Sequence, residues 1–199
     1  IVEIRLRPDP LVLAGGVGSD DSDTRLPFRA ALRLILANAK ARLAVLAMMV
    51  SQATMVGTMT LTPLHMNDGG QSNGAISIML FSHILGMYAL SPLVGRLADQ
   101  IGHYPMLVFS GVFCAVGALW AGFTPPEGFI GVTGGQTVIG LAWCFGIIAA
   151  SGLLTEAFPV EQSASVQGAG DMCMMAFGAV AGISAGAIVS YRSYLDLNL

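Results

Sequence analysis

Residues 82–122 read SHILGMYALSPLVGRLADQIGHYPMLVFSGVFCAVGALWAG. An apolar run enters a short polar turn, from Gly95 through Arg96, Asp99 and Gly102 to Tyr104, and a second apolar run leaves it. Each run is long enough to cross a hydrocarbon core of about 30 Å as a helix rising 1.5 Å per residue. The turn is too short to do anything but return the chain antiparallel, so this stretch predicts a transmembrane helical hairpin.

The same pattern extends in both directions. Five apolar stretches are predicted, at approximately 42–64, 74–97, 105–123, 130–154 and 165–190. They are rich in Gly, Ala, Ser and Thr, as in GVTGGQTVIG and GAVAGISAGA. So many glycines would destabilise soluble helices. In lipid the backbone must satisfy itself internally, so the helix persists and the small residues allow close helix contact. The chain of 199 residues is 54% hydrophobic and only 11% charged, against about 25% charged in soluble domains. The fold class read from these facts is all-α, a polytopic membrane bundle of about five transmembrane helices.

Residues 1–41 differ. RLRPDP and GGVGSDDSDT in 1–24 read as a linker, and 25–40 as a basic amphipathic helix with Phe28, Leu32, Ile35 and Leu36 on its apolar side. Such a helix suits a cytoplasmic membrane surface, or serves as a solvated entry to the first span. Seven of the nine Lys and Arg residues lie at or before Arg42, and Arg96 lies in the turn after the second span. By the positive-inside rule the N-terminal segment and the turns near 95–105 and 155–164 are expected to be cytoplasmic, in a multi-pass protein of the plasma membrane. Arg192, on the expected outer side, is the discordant charge.

A net charge of −3 without a basic patch argues against a nucleic-acid partner. Cys114, Cys144 and Cys173 each sit in an apolar run, without metal-ligand spacing. No nucleophile elbow, zinc-protease helix or phosphate loop is present, so no catalytic set, metal or cofactor is expected.

The turn Gly95-Arg96-Leu97-Ala98-Asp99-Gln100-Ile101-Gly102-His103-Tyr104 resembles the loop motif of the major facilitator superfamily, G-x-L-A-D-r-x-G-r-r. In it Gly95 is expected to permit close helix approach, Asp99 to face a helix end, and Gly102 to make the tight turn. Gln100, His103 and Tyr104 stand at usually basic positions, leaving Arg96 the nearest cation in sequence to Asp99. RPDP at 7–10, MTLTPLHM at 59–66 and GLAWCFGIIAASGLLTEAFPVEQSASVQGAGD at 140–171 are also similar to a bacterial, actinobacterial-type branch, with Cys144, Gln162 and Gly170 replacing the usual Asn, Arg and Asn. The resemblance implies a secondary transporter of a small molecule, proton-coupled and exporting, with the five spans matching helices seven to eleven of twelve. Its partners would be membrane lipid, the small-molecule substrate and an N-terminal half from the same or another chain. With no initiator Met at Ile1, the chain is expected to be a fragment. A non-transporting scaffold or partner half is the rival reading, and a membrane enzyme a third.

Asp171 is the one carboxylate well inside an apolar run, and an intramembrane acid suggests function by default. It reads either as a proton carrier or as a structural charge. His83 and Glu161 complete a candidate coupling or charge network, with packing and helix-end roles as their alternatives. Gln52, Met55 and Met59 share one helical face and are candidate cavity residues near the midplane, where transporter sites lie. Gln136, Trp143 and Tyr88 are weaker cavity candidates, and lipid or core packing is the alternative for all of these.

Overall fold

A computed structural model describes residues 26–191 and 194–198. Every described element is helical: α1 (Phe28–Ala37), α2 (Ala39–Asp68), α3 (Asn73–Tyr88), α4 (Ser91–Ile101), α5 (His103–Phe123), α6 (Phe129–Glu156), α7 (Val160–Tyr191) and α8 (Tyr194–Asn198). Five spans are long and apolar enough to cross a membrane: α2, the α3–α4 pair, α5, α6 and α7, of 30, 29, 21, 28 and 31 residues. The expected linker 1–24 and Arg192 lie outside the described residues.

Local chemistry sets the boundaries. Asn38 alone separates α1 from α2, and its side chain accepts from the backbone N–H groups of Lys40 and Ala41 at 2.9 and 3.3 Å. Ser72 caps α3 through the N–H of Ala75. Gly102 joins α4 to α5 at φ +87° and ψ 165°, a backbone region that is essentially reserved for glycine. Thr54, Thr58 and Thr62 donate their hydroxyls to the carbonyls of Val50, Thr54 and Thr58, so these polar groups are satisfied within α2 itself.

The second span differs from the continuous helix expected over 74–97. It is broken at Ala89 and Leu90. Pro92 has no N–H to give the carbonyl four residues back, which belongs to Tyr88, and its ring crowds that carbonyl. The hydroxyl of Ser91 donates to the same Tyr88 oxygen at 2.8 Å, satisfying it in place of the lost helical bond. The continuous hydropathy of the run concealed this break.

Helix α6 stands at the centre, packed against α5, α3 and α2, while α7 packs chiefly along α2. Glycines bring α6 and its neighbours together: a Cβ at Gly117 of α5 would stand 2.8 Å from the carbonyl oxygen of Gly135, and one at Gly140 would overlap the backbone of His83. Methionines recur through the core, with Met48 beside Leu153 and Leu154 near one end. Met55 and Met87 lie beside Ile139 at mid-depth, and Met66 and Met79 beside Val132 at the far end. Bulky residues such as Val108, Phe123, Ile130 and Ile183 face outward, as a lipid-bathed bundle requires. Helix α1 does not stand apart from the bundle: Ala31 and Ile35 are buried against α2 and α7, and the Leu26 N–H donates to Ser165.

Candidate functional site

Four side chains converge at mid-depth from four spans. Gln52 of α2, Tyr88 at the break, Trp143 of α6 and Met175 of α7 each lie within two residues of the middle of their span. The indole N–H of Trp143 donates to Gln52 Oε1 at 2.8 Å. The Gln52 amide N–H₂ faces Met175 Sδ at 3.9 Å, a weak acceptor. The Tyr88 and Trp143 rings meet edge to face, with centroids 5.8 Å apart at 69°. Gln52 is 7% exposed, whereas Tyr88 and Met175 are 57% and 55% exposed. The cluster is therefore anchored on its protein side and open on the other.

Helical phase explains how the sequence places these groups. Gln52, Met55 and Met59 share one face of α2, and Met55 and Met59 join the mid-depth core beside Trp143. The opposite face of α2, with Ala53, Gly57 and Thr58, lines a separate groove of about 380 Å³ with Ala118 of α5 and Ala185 of α7. That groove, lined largely by small apolar residues, does not reach the Gln52–Trp143 pair.

Gln136 does not join this cluster. Its amide donates to Thr62 Oγ1 at 2.6 Å, and its backbone carbonyl accepts from His83 Nδ1 at 2.6 Å. All three residues are buried, tying α2, α3 and α6 together. His83 is fully buried, its Nδ1–H donates to that carbonyl, and its Nε2 has no hydrogen-bond partner among the described residues. Asp171 is half-buried on α7, four residues before Met175, and accepts from Gln167 at 3.0 Å; Gln167 also reaches Ser151 of α6 at 3.3 Å. Glu161 is exposed in the first turn of α7, where a helix N-terminus favours an acid. The structure does not bring His83, Asp171 and Glu161 into one network.

At the end of the bundle that carries the Asp99 turn, a different charge cluster forms. Glu156, at the C-terminus of α6, contacts Lys40 Nζ at 2.5 Å and His103 Nδ1 at 3.0 Å. This joins the start of α2, the start of α5 and the end of α6. Arg96 and Asp99 are exposed, and Gly102 makes the expected turn. Among the described residues no neighbouring element comes within 4 Å of where a Cβ at Gly95 would stand. The sequence signal for His103 was its place in the turn motif; Lys40 and Glu156 carried none beyond their position at helix ends.

A helical bundle of five spans, one of them broken beside a mid-depth cluster of aromatic and amide groups, shares the discontinuous-helix plan of membrane carriers. The family described as MFS/sugar transport protein matches residues 18–198, and the chain belongs to that family of the major facilitator superfamily. The uncharacterized MFS-type transporters YdeG and YddS of Bacillus subtilis are 32% and 27% identical over the whole chain, which covers 46% of each. The riboflavin transporter RfnT of Brucella anthropi is 28% identical over 82% of the chain and 41% of its own length. The chain thus spans about half the length of these curated relatives. No solved structure matches it.

Proposed function

We propose that this chain supplies the C-terminal half of a secondary transporter for a small organic molecule. The observation that carries the reading is the convergence of Gln52, Tyr88, Trp143 and Met175 at mid-depth, with the cluster open on one side. A complementary half, in the same or another chain, closes that side and rocks against this one to expose the site alternately to each face of the membrane. The N-terminal segment and the Lys40–His103–Glu156 end lie in the cytoplasm, as the distribution of Lys and Arg favours.

Asp171 carries the coupling proton, and transport runs outward. Its position supports this role: a half-buried carboxylate inside a span, one helical turn from the mid-depth cluster. The relative named for riboflavin puts that compound among the cargoes to try first. The test is flux in vesicles carrying the complete transporter, with a pH gradient imposed. Gradient-driven flux that is lost in Asp171→Asn, while gradient-independent exchange survives, supports the coupling role. Gradient-driven flux unchanged by the substitution removes it, and absence of flux for every cargo counts against transport itself.

A further inference from the structure

We infer that the mid-depth cluster binds a flat heteroaromatic ring system that carries a hydrogen-bond acceptor. This names the cargo class of the site proposed above and rests on that reading. Gln52 Oε1 accepts from the Trp143 indole, which orients the amide so that its N–H₂ group points toward Met175 and is the donor it offers a ligand. Among the described residues that group has only the thioether of Met175 at 3.9 Å, and a thioether is a weak acceptor. A carbonyl or ring nitrogen on the ligand improves on it.

The aromatic side of the cluster is equally selective. The indole hydrogen bond to Gln52 fixes the plane of Trp143, and Tyr88 meets it at 69°. Two rings set this way form a corner, in which a third ring lies flat against one and edge-on to the other. Both geometries are favourable for aromatic pairs. Met175 is exposed beside them and Met59 is half-buried nearby, so polarizable sulfur borders the same space. A saturated ligand of equal size gains none of the ring contacts. The break after Tyr88 reinforces the assignment, because the Ser91 hydroxyl holds the Tyr88 carbonyl and so fixes the end of α3 on which the ring is mounted.

The experiment uses the whole chain in lipid nanodiscs, with acridone as the probe: flat, uncharged and bearing a carbonyl. The chain has two tryptophans. Trp120→Phe leaves Trp143 as the sole reporter, and Trp143→Phe leaves Trp120, on the outer face of α5, as the reporter of simple partition into lipid. Saturable quenching of Trp143 beyond that of Trp120 is expected, and a saturated tricyclic ketone should not compete. Tyr88→Ala and Gln52→Leu should each weaken binding roughly 2- to 13-fold, the range expected for one aromatic pair or one hydrogen bond. Tyr88→Phe, which keeps the ring, should restore it. Equal quenching of both tryptophans, full competition by the saturated ketone, or unchanged affinity in Tyr88→Ala each overturns the assignment. These outcomes concern the ring site alone; the flux experiment with Asp171→Asn decides transport independently.

Discussion

The hydrogen bond between Trp143 and Gln52 gives the most direct test of the mid-depth site. Gln52→Leu keeps most of the side-chain volume, which matters because a Cβ at Gly178 of α7 would stand 2.8 Å from Gln52 Cγ, so α7 packs closely there. The substitution removes the acceptor of the 2.8 Å indole bond. An orphaned buried donor costs about 1–3 kcal/mol. In lipid the unfolded reference finds partners too, and measured interhelical bonds average about 0.6 kcal/mol with a maximum near 1.7. The expected single-mutant loss is therefore about 1–2 kcal/mol. Trp143→Phe removes the donor, and in Gln52→Leu/Trp143→Phe neither group is orphaned. A double-mutant cycle of detergent unfolding should return a coupling of about 0.6–1.7 kcal/mol, with the double variant less damaged than the sum of the singles. A coupling of zero within error would refute the bond as an organising contact of the site.

Two further outcomes follow from the ends of the helices. Gly102→Ala forces a Cβ onto a backbone at φ +87°, so the protein should lose about 1–3 kcal/mol of stability, read as a lower unfolding midpoint. Glu156→Gln should cost less than about 1 kcal/mol, because the carboxylate is half exposed and screened. It should nevertheless widen the distance distribution between spin labels on the first turns of α2 and α5, and raised salt should reproduce part of that widening in the unsubstituted protein.

The five spans were legible because hydropathy and length are local properties. So was the turn at Gly102, a glycine in the short polar stretch between two apolar runs. The site was legible in halves. One face of α2 could be drawn from the spacing of Gln52, Met55 and Met59, but its meeting with Trp143 depends on how α2 crosses α6, which no local pattern encodes. Gln136 looked like a cavity residue because it is polar in an apolar run; it is buried, with its amide N–H₂ on Thr62 and its backbone carbonyl on His83. The same limit applies to Glu156, whose partner Lys40 lies 116 residues away. The break at Ala89 and Leu90 was written in Ser91-Pro92, yet the uninterrupted hydropathy of the run carried the span straight through it.

That break divides the labour within a single span. The first segment, α3, is clamped to α6 by the His83–Gln136 bond and by the glycine contacts at Gly86 and Gly140. The second segment, α4, beds Val94 and Ala98 against a different set of residues, including Met106 and Cys144. Ala89 and Leu90 are the two residues of this span that belong to neither helix. A tilt of the Asp99 end would bend the span at those two residues, leaving the Tyr88 ring on the side of the break that α6 holds.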